Sequence, residues 1–317
     1  MKQAVKLLSK EWNLGKKEAV VDNYICAWIY LFDVLQESKK NLYMKKIIER
    51  GLNMQKFNYH THTKRCGHAD NNMTDEDFVK LFIKKGFTKI AFTDHCPEKE
   101  EIDYRKNMRM KYSEKDEYLN SIKLLKEKYK DAIKIETGFE VEYLPGQEQN
   151  LLELKSETDK IILGQHFIYD ENNDIKFLRR QKFTDEDALK YAKYIKIAIE
   201  KNIPDVIAHP DVYMLSRDNY TEVDEKVAHI ICSAAEKYGI PIEINLSHPN
   251  EFIIGKRENI VYPCKEFWKI ASEYKNLKVI YGVDAHFEYQ IMNYEKAIEV
   301  ANKYIGQEII DKLHFCN

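Results

Sequence analysis

Three absences narrow what this chain can do. It has no excess of basic charge: 50 Lys and Arg stand against 52 Asp and Glu, a formal charge of −2, so the footprint of a nucleic-acid partner is missing. It has no stretch near the roughly 18 uncharged apolar residues of a membrane span. The nearest, 24–35, is broken by Asp33 and preceded by Glu11, Glu18 and Asp22, which is not a signal-peptide layout. It also has no paired cysteines: Cys26, Cys66, Cys96, Cys232, Cys264 and Cys316 include no C-x-x-C, a pattern of the reducing cytosol rather than of a disulfide framework. No G-x-G-x-x-G or G-x-x-x-x-G-K-[ST] is present, so dinucleotide and P-loop readings lose their support. The expectation is a cytoplasmic protein with neither a membrane nor a nucleic-acid partner. Its 44% hydrophobic and 32% charged residues suit a sizeable globular core.

Residues 1–53 differ from the rest. They hold ten Lys or Arg against six Asp or Glu, no histidine, and a dense apolar block at 25–35 around Trp28, Tyr30 and Phe32. A helical N-terminal extension is expected, with 41–50 as its last helix. It is either docked with no catalytic part or a contact surface for a homo-oligomer or another partner. Met54 opens a segment that would serve as a start by itself, which sets a catalytic domain at 54–317.

From Lys56 onward strand, loop and helix alternate. Strands are expected at 57–62, 90–95, 133–141, 160–167, 206–209, 241–246 and 278–284, short apolar runs rich in β-branched and aromatic residues. Thr74-x-x-Asp77, Ser113-x-x-Asp116, Thr184-x-x-Asp187 and Thr221-x-x-Asp224 mark helix starts, where the hydroxyl caps free N–H groups and the acid complements the helix dipole. Gly86 and Gly239 mark helix ends. Such alternation makes a mainly parallel sheet. Chemistry at the C-terminal ends of seven strands favours a closed (β/α) barrel with its site on that rim.

The chemistry is a set of imidazoles and carboxylates at those strand ends. His60 and His62 are i and i+2 on one strand, so both point to one side, and His68 follows at a short distance. Asp94 and His95 close the second strand, and Glu140 is an acid inside an apolar strand, where a carboxylate without a partner is costly. Glu142 shares its face; Glu140 is taken as the ligand because Gly138 leaves room beside it. His166, His209 and the pair Asp284 and His286 end later strands. Nitrogen and oxygen donors converging in this number describe a multinuclear divalent-metal site. His229, His248 and His314 lie elsewhere and read as structural or surface residues, His248 being the one nearest to a site role.

Several ordered motifs carry a resemblance. They are His60-x-His62 with His68, Thr93-Asp94-His95, Gly138-Phe139-Glu140-Val141-Glu142-Tyr143, His166, His209-Pro210-Asp211, Glu243-Ile244-Asn245 and Asp284-Ala285-His286. From about Lys56 to the C-terminus the chain resembles the PHP (polymerase and histidinol phosphatase) metal-dependent phosphoesterases, and within them the histidinol-phosphate phosphatases. The resemblance implies a distorted, TIM-like, seven-stranded (β/α) barrel and three divalent metal ions, zinc, manganese or iron. Carried over, His60, His62, Glu140 and Asp284 would hold the first ion, and Glu140 would bridge to a second on His166 and His209. His68, His95 and His286 would hold the third. The chain departs from the pattern at Gly282-Val283, where a Ser commonly precedes the Asp, and at Gln165; the extension has no counterpart in it.

Such a site suits a dianionic phosphate monoester attacked by metal-activated hydroxide. Asp284 is the candidate to take the water's proton and Asp94 to orient a ligating imidazole. Arg109, and after it Arg217, is the candidate to neutralise the phosphate edge facing away from the metals. The resemblance implies hydrolysis of L-histidinol phosphate to L-histidinol and phosphate, a late step of histidine biosynthesis. Glu243 and Asn245 either read the substrate's amine or imidazole or fill the barrel. The alternatives are a phosphatase of other small monoesters and a nucleic-acid phosphodiesterase, which the near-neutral charge disfavours. A non-catalytic metal-binding protein would be expected to have lost ligands, and all nine positions here are filled by residues able to ligate.

Overall fold

The computed structural model describes residues 54–98 and 108–316, so the expected extension at 1–53, with its helix at 41–50, lies outside the described residues. The strands in chain order are β1 (Phe57–Asn58), β2 (Lys89–His95), β3 (Lys134–Val141), β4 (Lys160–Leu163), β5 (Phe167–Tyr169), β6 (Ile175–Phe177), β7 (Val206–Ile207), β8 (Ile242–Asn245), β9 (Lys278–Gly282) and β10 (His314–Phe315). Eight of them form one sheet, β1-β2-β3-β4-β7-β8-β9-β10, in which every pair is parallel. β2 is buried from Ile90 to His95 and β3 from Ile135 to Val141, as strands covered on both faces must be. The seven expected strands are all present. β10 and the antiparallel β5–β6 hairpin add to them.

The sheet curls until β1 meets β9, and the seam is closed largely by side chains. Ala285 N–H donates to His60 O at 3.2 Å and His62 N–H to Ala285 O at 2.8 Å, a single parallel bridge. Below it, the Gln55 amide accepts from Tyr281 N–H at 2.9 Å and donates to Tyr281 O at 2.7 Å, in place of a ladder pair. Asn58 Oδ1 accepts from Val283 N–H at 2.9 Å. The strand expected at 57–62 pairs as a strand only through Asn58, because the Thr93 hydroxyl intervenes. It donates to Tyr59 O at 2.9 Å and accepts from Thr61 N–H at 3.3 Å. The strand expected at 160–167 breaks after Leu163, where the Gln165 amide takes over by pairing with both backbone groups of Tyr143 at 3.0 Å.

The helices are α1 (Asp75–Lys84), α2 (Lys115–Lys128), α3 (Glu148–Glu157), α4 (Asp185–Glu200), α5 (Glu222–Tyr238), α6 (Ser247–Ile253), α7 (Lys265–Ala271), α8 (Glu288–Met292), α9 (Tyr294–Ile305) and α10 (Gln307–Ile310). Thr74, Thr184 and Thr221 cap α1, α4 and α5 in full reciprocal capping boxes with Asp77, Asp187 and Asp224. Ser113 is no cap. It lies in a 3-10 turn before α2, and Glu114 Oε2 instead accepts from Lys111 N–H at 2.8 Å. None of the described helices is long and apolar enough to cross a membrane.

Candidate metal centre

The β2–β3 register sets His95 beside Glu140, and the β1–β9 seam sets His60 and His62 beside Asp284 and His286. All nine expected donors therefore reach one rim. His60 Nε2 lies 3.0 Å from His62 Nε2, 3.3 Å from Asp284 Oδ1 and 3.7 Å from Glu140 Oε1. His62 Nε2 is 3.4 Å from both Glu140 Oε2 and Asp284 Oδ1. Four donors of one tetrahedral zinc, each about 2.0–2.1 Å from the ion, stand roughly 3.3–3.4 Å apart. Glu140 continues the chain of contacts to His209 Nε2 at 3.0 Å, His166 Nε2 at 3.9 Å and His95 Nδ1 at 2.9 Å. His68 and His286 meet at the mouth, Nε2 to Nε2, at 2.8 Å.

The hydrogen bonds behind these rings argue for cations among them. His286 Nδ1 faces Asp284 O at 3.0 Å and His68 Nδ1 faces Cys66 O at 2.9 Å. A carbonyl can only accept, so each Nδ1 carries the proton and each Nε2 a lone pair. Two lone pairs 2.8 Å apart repel unless a cation lies between or beside them. His60 and His166 are set the same way, with Nδ1 on Glu243 at 3.0 Å and on Glu142 at 2.7 Å. Burial lowers His62, His166 and His286 to about 3 and His68 and His95 to about 4, which keeps these rings in the neutral, ligating form. Burial also pulls His60 down, but Glu243, Asp284 and Glu140 hold it well above its ordinary value; the carboxylates favour positive charge at this point. Burial opposes ionisation of Glu140 and Asp284, yet the imidazoles around them hold both well below the usual carboxylate range. Among the described residues, triads with donor atoms within 4.8 Å of one another are His60, His62 and Glu140; His95, Glu140 and His166; His68, His95 and His286; and His62, Cys66 and His286. The donor set fits divalent metals.

Backbone and packing are shaped around these donors. His209 and Asp284 sit at positive φ, 30° and 51°, a conformation non-glycine residues rarely adopt and one that collects at functional sites. Gly164 makes the space for Glu140: a Cβ there would lie 1.7 Å from Glu140 Oε1. That corrects the reading of Gly138, whose Cβ would instead meet Lys160 O at 2.2 Å; Gly138 lets β4 approach. Gly282 plays the same part for Glu243, with 2.0 Å to Oε2.

Three further expectations are corrected, and the alternatives for Glu243 and Asn245 are narrowed. Asp94 touches no imidazole. Its Oδ1 accepts from Thr63 N–H at 2.8 Å and from the Thr63 hydroxyl at 3.2 Å, holding the turn between His62 and His68, and burial lifts its carboxyl to about 7. Glu243 and Asn245 are fully buried and bind ligand side chains, Glu243 to His60 and Asn245 Nδ2 to Asp284 Oδ2 at 3.3 Å. Arg217 is committed to Asp185 at 2.6 Å, Asp224 at 3.1 Å and Phe183 O at 3.0 Å, in the cap of α5. Arg109 is buried, its Nη1 donating to Cys96 O at 3.2 Å and to Glu98 Oε1 at 3.4 Å. Neither arginine lines the cavity over the donors. Among the described residues the arginine that does is Arg179, just past the β5–β6 hairpin, 3.4 Å from Tyr262 OH. His248 supports that tyrosine, ring centroids 3.9 Å apart, and does not itself line the cavity. Arg179 was missed because the hairpin was. The turn-rich 170–174 between two β-rich triplets is the hairpin signal that could have found it.

Comparison with known proteins agrees with this architecture. The PHP domain family model matches residues 58–247. The chain belongs to the PHP domain family. A probable phosphatase of Thermoanaerobacter sp. (strain X514) is 28% identical over 256 residues, 79% of this PHP chain and 87% of the relative. The histidinol-phosphatase of Bacillus subtilis (strain 168) is 24% identical over 261 residues, 74% and 94% of the two chains. Histidinol phosphate phosphatase of Lactococcus lactis, solved in complex with zinc, L-histidinol and phosphate, shares the fold with a TM-score of 0.56 at 17% identity, covering 82% of this chain and 95% of the other.

Proposed function

We propose that this PHP protein is a metal-dependent phosphatase that hydrolyses L-histidinol phosphate to L-histidinol and phosphate. The observation that carries the phosphatase reading is the cluster of lone-pair nitrogens and ionised carboxylates facing one another beneath the lone cavity-lining arginine of the described residues. The substrate is carried over from the relatives named histidinol-phosphatase.

His60, His62, Glu140 and Asp284 would hold one divalent ion, Glu140 with His166 and His209 a second, and His68, His95 and His286 a third; zinc, manganese and iron suit these donors. Bound there, such ions supply charge neutralisation for phosphoryl oxygens and bring the pKa of water toward neutrality. Arg179 neutralises the phosphate edge that faces away from the donors, a role for which a planar, always-charged fork is suited. Asp284 lines the cavity as an ionised carboxylate and accepts the proton released by the attacking water. Glu243 and Glu142 act through His60 and His166, fixing their tautomers.

The test is phosphate release by the metal-loaded protein from L-histidinol phosphate, a panel of other monoesters and a DNA oligonucleotide. A kcat/KM at least about tenfold higher for histidinol phosphate, roughly 1.4 kcal/mol of transition-state preference, is the expected result. Flat activity across the monoesters would remove histidinol phosphate as the substrate, and an active oligonucleotide lane would move the enzyme to the phosphodiesterases.

A further inference from the structure

The outer wall of the cavity carries side chains that neither metal binding nor phosphate neutralisation uses. Phe287 and Tyr289, at the start of α8, lie nearly parallel, 16° apart at 5.6 Å between centroids. The Lys256 ammonium rests 5.2 Å and 5.3 Å from those two ring centroids. A pair of ring faces that seats an ammonium in this way attracts cations through the ring quadrupole. Glu251, on α6, is the wall's carboxylate outside the donor cluster among the described residues. Its Oε2 accepts from Arg257 Nε at 2.8 Å, and its Oε1 has no protein donor among the described residues. The charge of Arg179 is supported by Tyr262, Asp284, Glu251 and Glu140, so this arginine lies in the field of both the donor cluster and Glu251. A phosphate held between the donors and Arg179 thus leaves its alcohol facing a carboxylate and an aromatic shelf.

We propose that Glu251 and the Phe287–Tyr289 shelf are the specificity elements of this phosphatase, selecting monoesters whose alcohol carries an ammonium group beside an aromatic ring. Glu251 Oε1 accepts from the ammonium, and the ring takes the place of Lys256 on the shelf. This rests on the phosphatase reading above and deepens it by assigning the amine to one residue. The Phe287–Tyr289 shelf and Glu251 come from different elements, so the two contacts can be removed separately.

The experiment compares L-histidinol phosphate with its analogue lacking the amine, 3-(imidazol-4-yl)propyl phosphate, in the metal-loaded full chain and in its E251Q and E251D variants. Calorimetry of L-histidinol binding provides a readout that needs no turnover. The wild-type chain is expected to prefer the amine-bearing ester by about tenfold or more, as a charge-assisted hydrogen bond would give. E251Q should abolish most of that preference and weaken L-histidinol binding about tenfold, and E251D should restore part of both. An E251Q that lowers both esters equally would reduce Glu251 to a brace for Arg257 and overturn the proposal. So would a preference that survives in E251Q. A wild-type chain inactive on every monoester would instead defeat the phosphatase reading itself, so the two failures are distinguishable.

Discussion

The two ends of the barrel treat buried charge in opposite ways. At the end where the strands begin, β2, β3, β4 and β9 each open on a lysine, Lys89, Lys134, Lys160 and Lys278. The buried Glu136 there is surrounded by three ammonium groups, Lys134 at 3.0 Å, Lys160 at 3.8 Å and Lys89 at 3.9 Å. Asp159 and Asp205 at the same end accept backbone N–H groups of Thr137 and Ile161. At the end where the strands finish, donors face donors: imidazole nitrogens oppose imidazole nitrogens at 2.8 Å and 3.0 Å, and Glu140 meets five histidines and, among the described residues, no lysine or arginine in its ion pairs. Burying a charge is costly wherever it happens. One end offsets that cost within the protein, and the other leaves it to be offset by something bound. That asymmetry separates a structural ion-pair network from a site better than any single residue does.

The strongest way to break the comparison is to change one carboxylate at each end. Glu140→Gln should lower kcat/KM by about a thousandfold or more and reduce the bound metal per chain, because Glu140 reaches the donors of every proposed ion pair. Glu136→Gln should leave metal content as it is and lower stability by about 1 kcal/mol, the order of one hydrogen-bonded contact. Metal analysis beside a thermal melt reads both. A Glu140→Gln protein with full metal content and full activity would erase the distinction between the two ends.

The arginines sharpen it next. Arg179→Met is expected to lower kcat/KM for phosphate monoesters by about a hundredfold, roughly 2.7 kcal/mol, with little change in melting temperature. Arg217→Met should do the reverse, costing about 3 kcal/mol of stability because the fully buried Asp224 loses its cation, while kcat/KM stays near wild type. Urea titrations with steady-state kinetics on both proteins would show whether the cavity arginine and the capping arginine separate in this way. A hundredfold kinetic loss in Arg217→Met would return that residue to the site.

The donors were legible in the sequence because strand geometry is periodic. His60 and His62, or Asp284 and His286, at i and i+2 after an apolar run, can face one space, and the run itself locates the rim. What surrounds the donors was not legible. Glu142 could be placed on the face of Glu140, but that its carboxylate turns back to His166 N–H at 2.6 Å depends on β4 ending at Leu163. Asp94 sits next to His95 in the chain yet points to Thr63, because neighbouring strand residues face opposite ways. Gly164 and Gly138 illustrate the same limit. Each is a glycine near Glu140, and only the packed sheet tells which one gives it room. Arg109 and Arg217 are the arginines the sequence offered as candidates, whereas Arg179 arrives by a hairpin that stands outside the barrel's rhythm.

The smallest predicted effect tests whether the orienting carboxylates belong to the site's chemistry or only to its packing. Glu142 Oε1 accepts from His166 Nδ1 at 2.7 Å and its Oε2 from His166 N–H at 2.6 Å, so it fixes both the ring and the backbone of one proposed ligand. Burial pushes its carboxyl up to about 8 in spite of those contacts, so its charged form depends on the positive charge nearby. Glu142→Gln keeps the shape and one acceptor oxygen while removing the charge. The loss expected from such an outer partner is about ten- to a hundredfold in metal affinity, with metal bound at saturating concentration and activity then largely recovered. A metal titration followed by fluorescence quenching and by activity would show the two curves shifting together. If activity fell without any shift in the titration, Glu142 would be acting on the reaction directly, and the division between residues that hold the donors and residues that meet the substrate would have to be redrawn on this side of the rim.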